Sequence, residues 1–159
     1  MTAADVAWVS LRSVYAWMFI YPAIGLVRDW RGTVETTALL FKWQPALFAA
    51  SSVAAMFIGG LMILLGAFGW IAGLYFFVFC LGGARIHYRL AAKAGQTKPP
   101  SDLQGPEQDA FAGLVGLAVV GHVTSAQKNF VLAAVGLFFF LMGTGPCSIA
   151  DSVAPFFGE

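Results

Sequence analysis

Hydrophobic positions in this chain fall into long unbroken runs, and polar positions are confined to the stretches between them. The longest run, 46–88, reads ALFAASSVAAMFIGGLMILLGAFGWIAGLYFFVFCLGGARIHY and carries no charge before Arg85. A helix needs about 20 apolar residues to cross the hydrocarbon core of a bilayer, so this run is long enough for two crossings. Backbone amides left unpaired in lipid are costly, which makes the run helical. A tight turn near Gly66-Ala67-Phe68-Gly69 divides it into helices at 46–65 and 68–90, a membrane hairpin around which the other segments pack.

A first helix is expected at 7–27, with Trp8, Trp17 and Trp30 suited to the membrane interfaces near its ends. The apolar stretch from Val14 to Val27 within it, with Asp5 and Arg12 before and Arg28-Asp29-Trp30-Arg31 after, does not have the form of a cleavable signal. The connector from Arg28 to Gln44 is polar and aromatic. Its Thr36-to-Trp43 part reads as a short interfacial helix, and Pro45 stands where a new helix can start. After Pro99-Pro100 the segment 110–121 is apolar but short and rich in glycine, which suggests a re-entrant or interfacial piece rather than a crossing. The last helix is expected at 125–143, followed by an acidic tail, CSIADSVAPFFGE. The expected fold is therefore all-α: one polytopic membrane four-helix bundle in a single domain, 1–159, with an additional short apolar segment.

Composition sharpens this. Charged residues make up 11% of the chain and hydrophobic ones 59%, against about 25% charged in soluble domains, which indicates an integral membrane protein. A formal net charge of +1 offers no basic footprint for nucleic acid. In the four-crossing arrangement Arg28, Arg31, Lys42, Arg85, Arg89, Lys93, Lys98 and Lys128 fall on one side and only Arg12 on the other. The positive-inside rule makes that basic side cytoplasmic and puts both termini outside; a five-crossing alternative would move Lys128 and the C-terminus across.

The candidate chemistry is sparse. Arg12, Lys128 and Asn129 are the polar residues expected to orient the bundle interior, with snorkelling as the plainer role for Arg12. Arg85 and Arg89, one helical turn apart, and Lys93 beyond them form a stripe suited to anionic lipid or to a partner. His87 and His122, the two histidines, are weak candidates for a haem or a metal. Tyr75-Phe76-Phe77 and Phe138-Phe139-Phe140 offer flat surfaces for a quinone, or simply pack. Cys80 reads as a packing residue; Cys147 is redox-active only if Cys80 reaches it. No catalytic motif, metal-ligand motif or phosphate-binding loop is present in the sequence.

Several short motifs resemble those of the DoxX-like family of small bacterial membrane proteins. They are Leu11-Arg12 opening the first helix, the GGLMILLG stretch from Gly59 to Gly66, Lys128-Asn129 opening the last helix, and the ending Gly143-Thr144-Gly145-Pro146-Cys147-Ser148-Ile149-Ala150-Asp151. Met56 stands where the family shows a Glu. The resemblance implies a four-helix bundle in the bacterial cytoplasmic (inner) membrane, associated with redox complexes. The expected function is a non-catalytic accessory subunit of a larger redox or energy-converting complex, needing no cofactor, with membrane lipids and other membrane subunits as partners. The alternatives are a quinone-interacting subunit of a thiosulfate-type oxidoreductase, or a transporter of small solutes or lipids.

Overall fold

The computed structural model describes residues 1–149; the tail that follows, including Asp151, lies outside the described residues. Five α-helices and no strand are found among the described residues: α1 (Ala3–Arg28), α2 (Trp30–Thr37), α3 (Pro45–Leu65), α4 (Gly69–Gly95) and α5 (Pro106–Met142). Four of them, α1, α3, α4 and α5, are long and apolar enough to cross a membrane. The expected all-helical, polytopic bundle is the fold observed.

Local signals fix most boundaries. Thr2 caps α1, its hydroxyl accepting from the Asp5 amide while the Asp5 carboxylate accepts from the Thr2 amide. Pro45 occupies the first turn of α3, where its missing N–H costs nothing. Between α3 and α4, Gly66 takes a positive φ of 73° and ends α3 in the left-handed conformation that glycine adopts without strain.

Two expectations are corrected. The interfacial helix occupies Trp30–Thr37 instead of Thr36-to-Trp43. The Asp29 side chain caps it by accepting from the Gly32 amide at 3.1 Å, and Arg31 pairs with Glu35 one turn later. The segment 110–121 is neither re-entrant nor a separate crossing, because α5 runs through it without a break from Pro106 to Met142. The polar residues that suggested an interruption, His122 to Asn129, are accommodated inside the helix: Thr124 returns its hydroxyl to the Val120 carbonyl at 2.9 Å, and Ala126 is fully buried. At 1.5 Å per residue, α5 is about 55 Å long, well beyond the roughly 30 Å of a hydrocarbon core.

The bundle consists of two close pairs, α1 with α3 and α4 with α5. The α4–α5 contact is backbone on backbone at Gly73 and Gly136: a Cβ on Gly73 would meet the Gly136 carbonyl oxygen at 2.7 Å, and one on Gly136 would meet the Phe77 amide nitrogen at 2.8 Å. The pairs join through an aromatic core in which Phe19 stacks on Phe76 at 3.7 Å and Tyr15 packs against Phe19, Phe76 and Phe139. The Tyr15 hydroxyl, which would be costly to bury unpaired, donates to the Leu132 carbonyl at 2.7 Å.

Candidate functional site

The end of the bundle bearing Arg12 is closed. Arg12 is 3% exposed, and its Nη2 donates to the Cys147 carbonyl at 2.9 Å. Thr144 donates to the Gly66 carbonyl at 3.2 Å, tying the end of α5 to the end of α3. Carbonyls at the C-terminal ends of helices carry partial negative charge, so a guanidinium set between two such ends is favourably placed. Its Nε and Nη1 have no hydrogen-bond partner among the described residues. Arg12 thus lies inside the bundle and does not snorkel, and it binds the last helix-terminal loop to the rest.

The opposite end, where the basic loops gather, is open inside. Here α1 contributes Gly25, α3 Ala49 and Ala55, and α4 Gly82 and Gly83, all small. Small side chains on helices held apart by aromatic residues elsewhere leave volume between them. A cavity of about 880 Å³ results, bounded by α1, α2, α3, α4 and one stripe of α5. Its apolar wall includes Met18, Phe19, Leu26, Val53, Met56, Tyr75, Phe79 and Leu132. Its polar wall comprises Asp29, Thr33, Thr36 and Thr37 from α2 and its cap, Ser51 and Ser52 from α3, His87 from α4, and Lys128 and Asn129 from α5.

Several of these polar groups are committed to the protein. The Thr33 hydroxyl is shared between the Leu26 and Asp29 carbonyls, each at 2.8 Å, and Thr37 donates to the Thr33 carbonyl at 2.8 Å. Lys128 and Asn129 are different. Neither side chain makes a hydrogen bond to a described residue, although the Asn129 amide closes over Gly83, where a Cβ would lie 3.1 Å from its nitrogen. Lys128 and Leu132, four residues apart, share one face of α5 and line the same wall.

His87 and His122 meet across the α4–α5 seam with Nδ1 to Nδ1 at 3.2 Å. That contact is a hydrogen bond only when one nitrogen carries a proton and the other a lone pair, so the bonded pair cannot hold two imidazolium rings. Holding a haem iron between them would require the rings to separate. His87 lines the cavity, whereas His122 does not. Among the described residues no group of three His, Cys, Asp or Glu side chains converges on a metal position.

The remaining candidates lie elsewhere. Arg85 and Arg89 line a shallow groove of about 490 Å³ with Leu81, Tyr88 and Phe130; Arg89 also donates to the Leu39 carbonyl, joining α4 to the loop after α2. Lys93 is exposed beyond that groove. Arg12 is remote from Lys128 and Asn129, at the other end of the bundle. Phe76 and Phe139 are fully buried packing residues, whereas Tyr75 reaches the cavity, its hydroxyl 3.4 Å from the Ser52 carbonyl. Cys80 is fully buried and Cys147 exposed; both are free, and Cys80 sits about 16 Å along α4 from the closed end where Cys147 lies.

The sequence reading missed the cavity residues on α2 and α3. Their signal is the recurrence of small and hydroxyl side chains at helical spacing, Ser52 with Ala55 and Met56, opposite Gly82 and Gly83.

These features define a small polytopic helical membrane protein with one closed end and one cavity-bearing end. The sequence model of the DoxX family matches residues 7–89, more than half of the chain, and the chain belongs to that family. No curated protein and no solved structure matches it.

Proposed function

We propose that this chain is a non-catalytic accessory subunit of a larger redox or energy-converting complex in the bacterial cytoplasmic membrane, and that it holds a small lipid-soluble molecule there. The cavity of about 880 Å³ carries this reading. Small-molecule sites run from about 300 to 1,000 Å³, with mostly apolar walls and a few polar groups that fix orientation. This cavity has that make-up, and its polar wall lies at the end where the basic residues collect. By the positive-inside rule that end is cytoplasmic. Arg85 and Arg89, on the outer surface at the same level, are suited to anionic headgroups or to a neighbouring subunit.

A second reading, a quinone-interacting subunit of a thiosulfate-type oxidoreductase, is favoured by one observation. Tyr75 and Phe79, both on the cavity wall, lie with ring planes 27° apart and centroids at 5.5 Å, a surface on which a flat headgroup can stack.

Purification from native membranes in mild detergent tests the proposal. The expected result is a fixed stoichiometry with other subunits, together with an extractable molecule below about 1 kDa, the size range such cavities accept. That molecule should be lost from Gly25→Leu and Gly82→Leu variants, which place bulk on the cavity wall. A solitary chain that yields no extract sinks the reading. A quinone in the extract selects the second reading.

A further inference from the structure

We infer that the cavity receives a single-chain amphiphile with an acidic head, a carboxylate or a phosphate monoester, whose charge is met by Lys128. The inference rests on the cavity being a small-molecule site, and it assigns the chemical class of the occupant.

Two formally charged side chains line the cavity, Lys128 and Asp29. The Asp29 carboxylate is committed to the start of α2, where it accepts from the Gly32 amide. The one ion pair among the described residues joins Arg31 to Glu35, so no described carboxylate is paired with Lys128. The Lys128 side chain lines the cavity while remaining exposed, so its ammonium can be reached by an anionic head that enters the cavity and pairs with it. The neighbouring Asn129 amide likewise has no described partner and adds two N–H donors. The two lining charges balance formally, but on the α5 wall the Lys128 ammonium and the Asn129 amide present N–H donors with no carboxylate beside them on that helix face, and an acceptor-rich anion is the head that pairs with them. A neutral head gains no ion pair with the ammonium, and a cationic head is repelled.

The other end of the ligand follows from shape. The volume of about 880 Å³ lies within the small-molecule range, so it takes one chain rather than a two-chain phospholipid. Phe19, Val53, Met56 and Leu132 provide the apolar surface against which that chain lies. An acidic head and an apolar tail therefore match the two walls in one molecule.

The test measures binding to the full chain in nanodiscs of zwitterionic lipid. The four probes are palmitate, hexadecanol, 1-palmitoyl-lysophosphatidate and a decyl-substituted benzoquinone. Palmitate or the lysophosphatidate should bind about tenfold or more tightly than hexadecanol, the range of a charge-assisted hydrogen bond. Which of the two acids binds better distinguishes a carboxylate head from a phosphate head. Lys128→Gln should erase the acid preference while leaving hexadecanol binding in place, and Lys128→Arg should restore it. Hexadecanol or the quinone binding as tightly as the acids, or an acid preference unchanged in Lys128→Gln, overturns the assignment of class and leaves the cavity reading standing. Gly82→Leu should remove binding of every probe. Binding that survives this change overturns the cavity reading itself, and the class assignment with it.

Discussion

At the closed end of the bundle, helices touch through glycine and large rings fill what remains; at the basic end, equally small residues face one another with nothing between them. Gly73 and Gly82 lie nine positions apart on α4 and are alike in sequence. A Cβ on Gly73 would strike the backbone of α5, whereas one on Gly82 would find only the Leu40 side chain, 3.9 Å away. A small residue in a membrane helix therefore has two opposite uses, to bring backbones together or to leave room, and only the partner helix decides which.

Substitutions at matched positions break or sharpen this comparison. Gly73→Leu should have the largest effect, about 3 kcal/mol or more of lost stability, because rigid backbone on α5 must move. Thermal unfolding in detergent would show it, and an unchanged midpoint would contradict the close α4–α5 contact. Arg12→Ala comes next, at about 2–4 kcal/mol, since it removes a charged hydrogen bond to the Cys147 carbonyl and leaves a void. Tyr15→Phe loses the bond to the Leu132 carbonyl, which keeps its helical partner, a cost of about 0.5–1.5 kcal/mol measurable by denaturant titration in micelles. Gly82→Leu should move stability least, by about 1 kcal/mol and in the favourable direction, because leucine is the better helix former and its side chain enters empty space. A large loss there would mean that the basic end is as tightly filled as the other.

Hydropathy alone located the membrane helices, because a run free of charge from Pro45 to Ala84 has few other fates. The turn at Gly66 was equally legible, since glycine near the middle of so long a run marks where it folds back. The continuity of α5 was not. Glycines at 113, 116 and 121 and a polar stretch after them look like interruptions, yet Phe111, Val115, Val119 and His122 form one partly covered stripe along the helix. A Cβ on Gly95 of α4 would lie 3.6 Å from the Val119 side chain, so neighbouring α4 supports that stripe. The start of α2 was missed because Asp29 was read as part of a charged loop, while its carboxylate serves as a cap. The cavity was least legible of all. It is a deficit of side-chain volume shared among five helices, and no single stretch of sequence records it.

The uninterrupted length of α5 carries a mechanical consequence. From Gly136, where α5 is clamped against α4, to Phe111 the helix extends about 38 Å as a single rod. A swing of 5° about that clamp displaces Phe111 by roughly 3 Å, a displacement comparable to a side chain's reach, at constant helix geometry. Because α4 runs beside α5 as far as Gly95, the two would travel together, and small adjustments around the clamp would be magnified at the far tip.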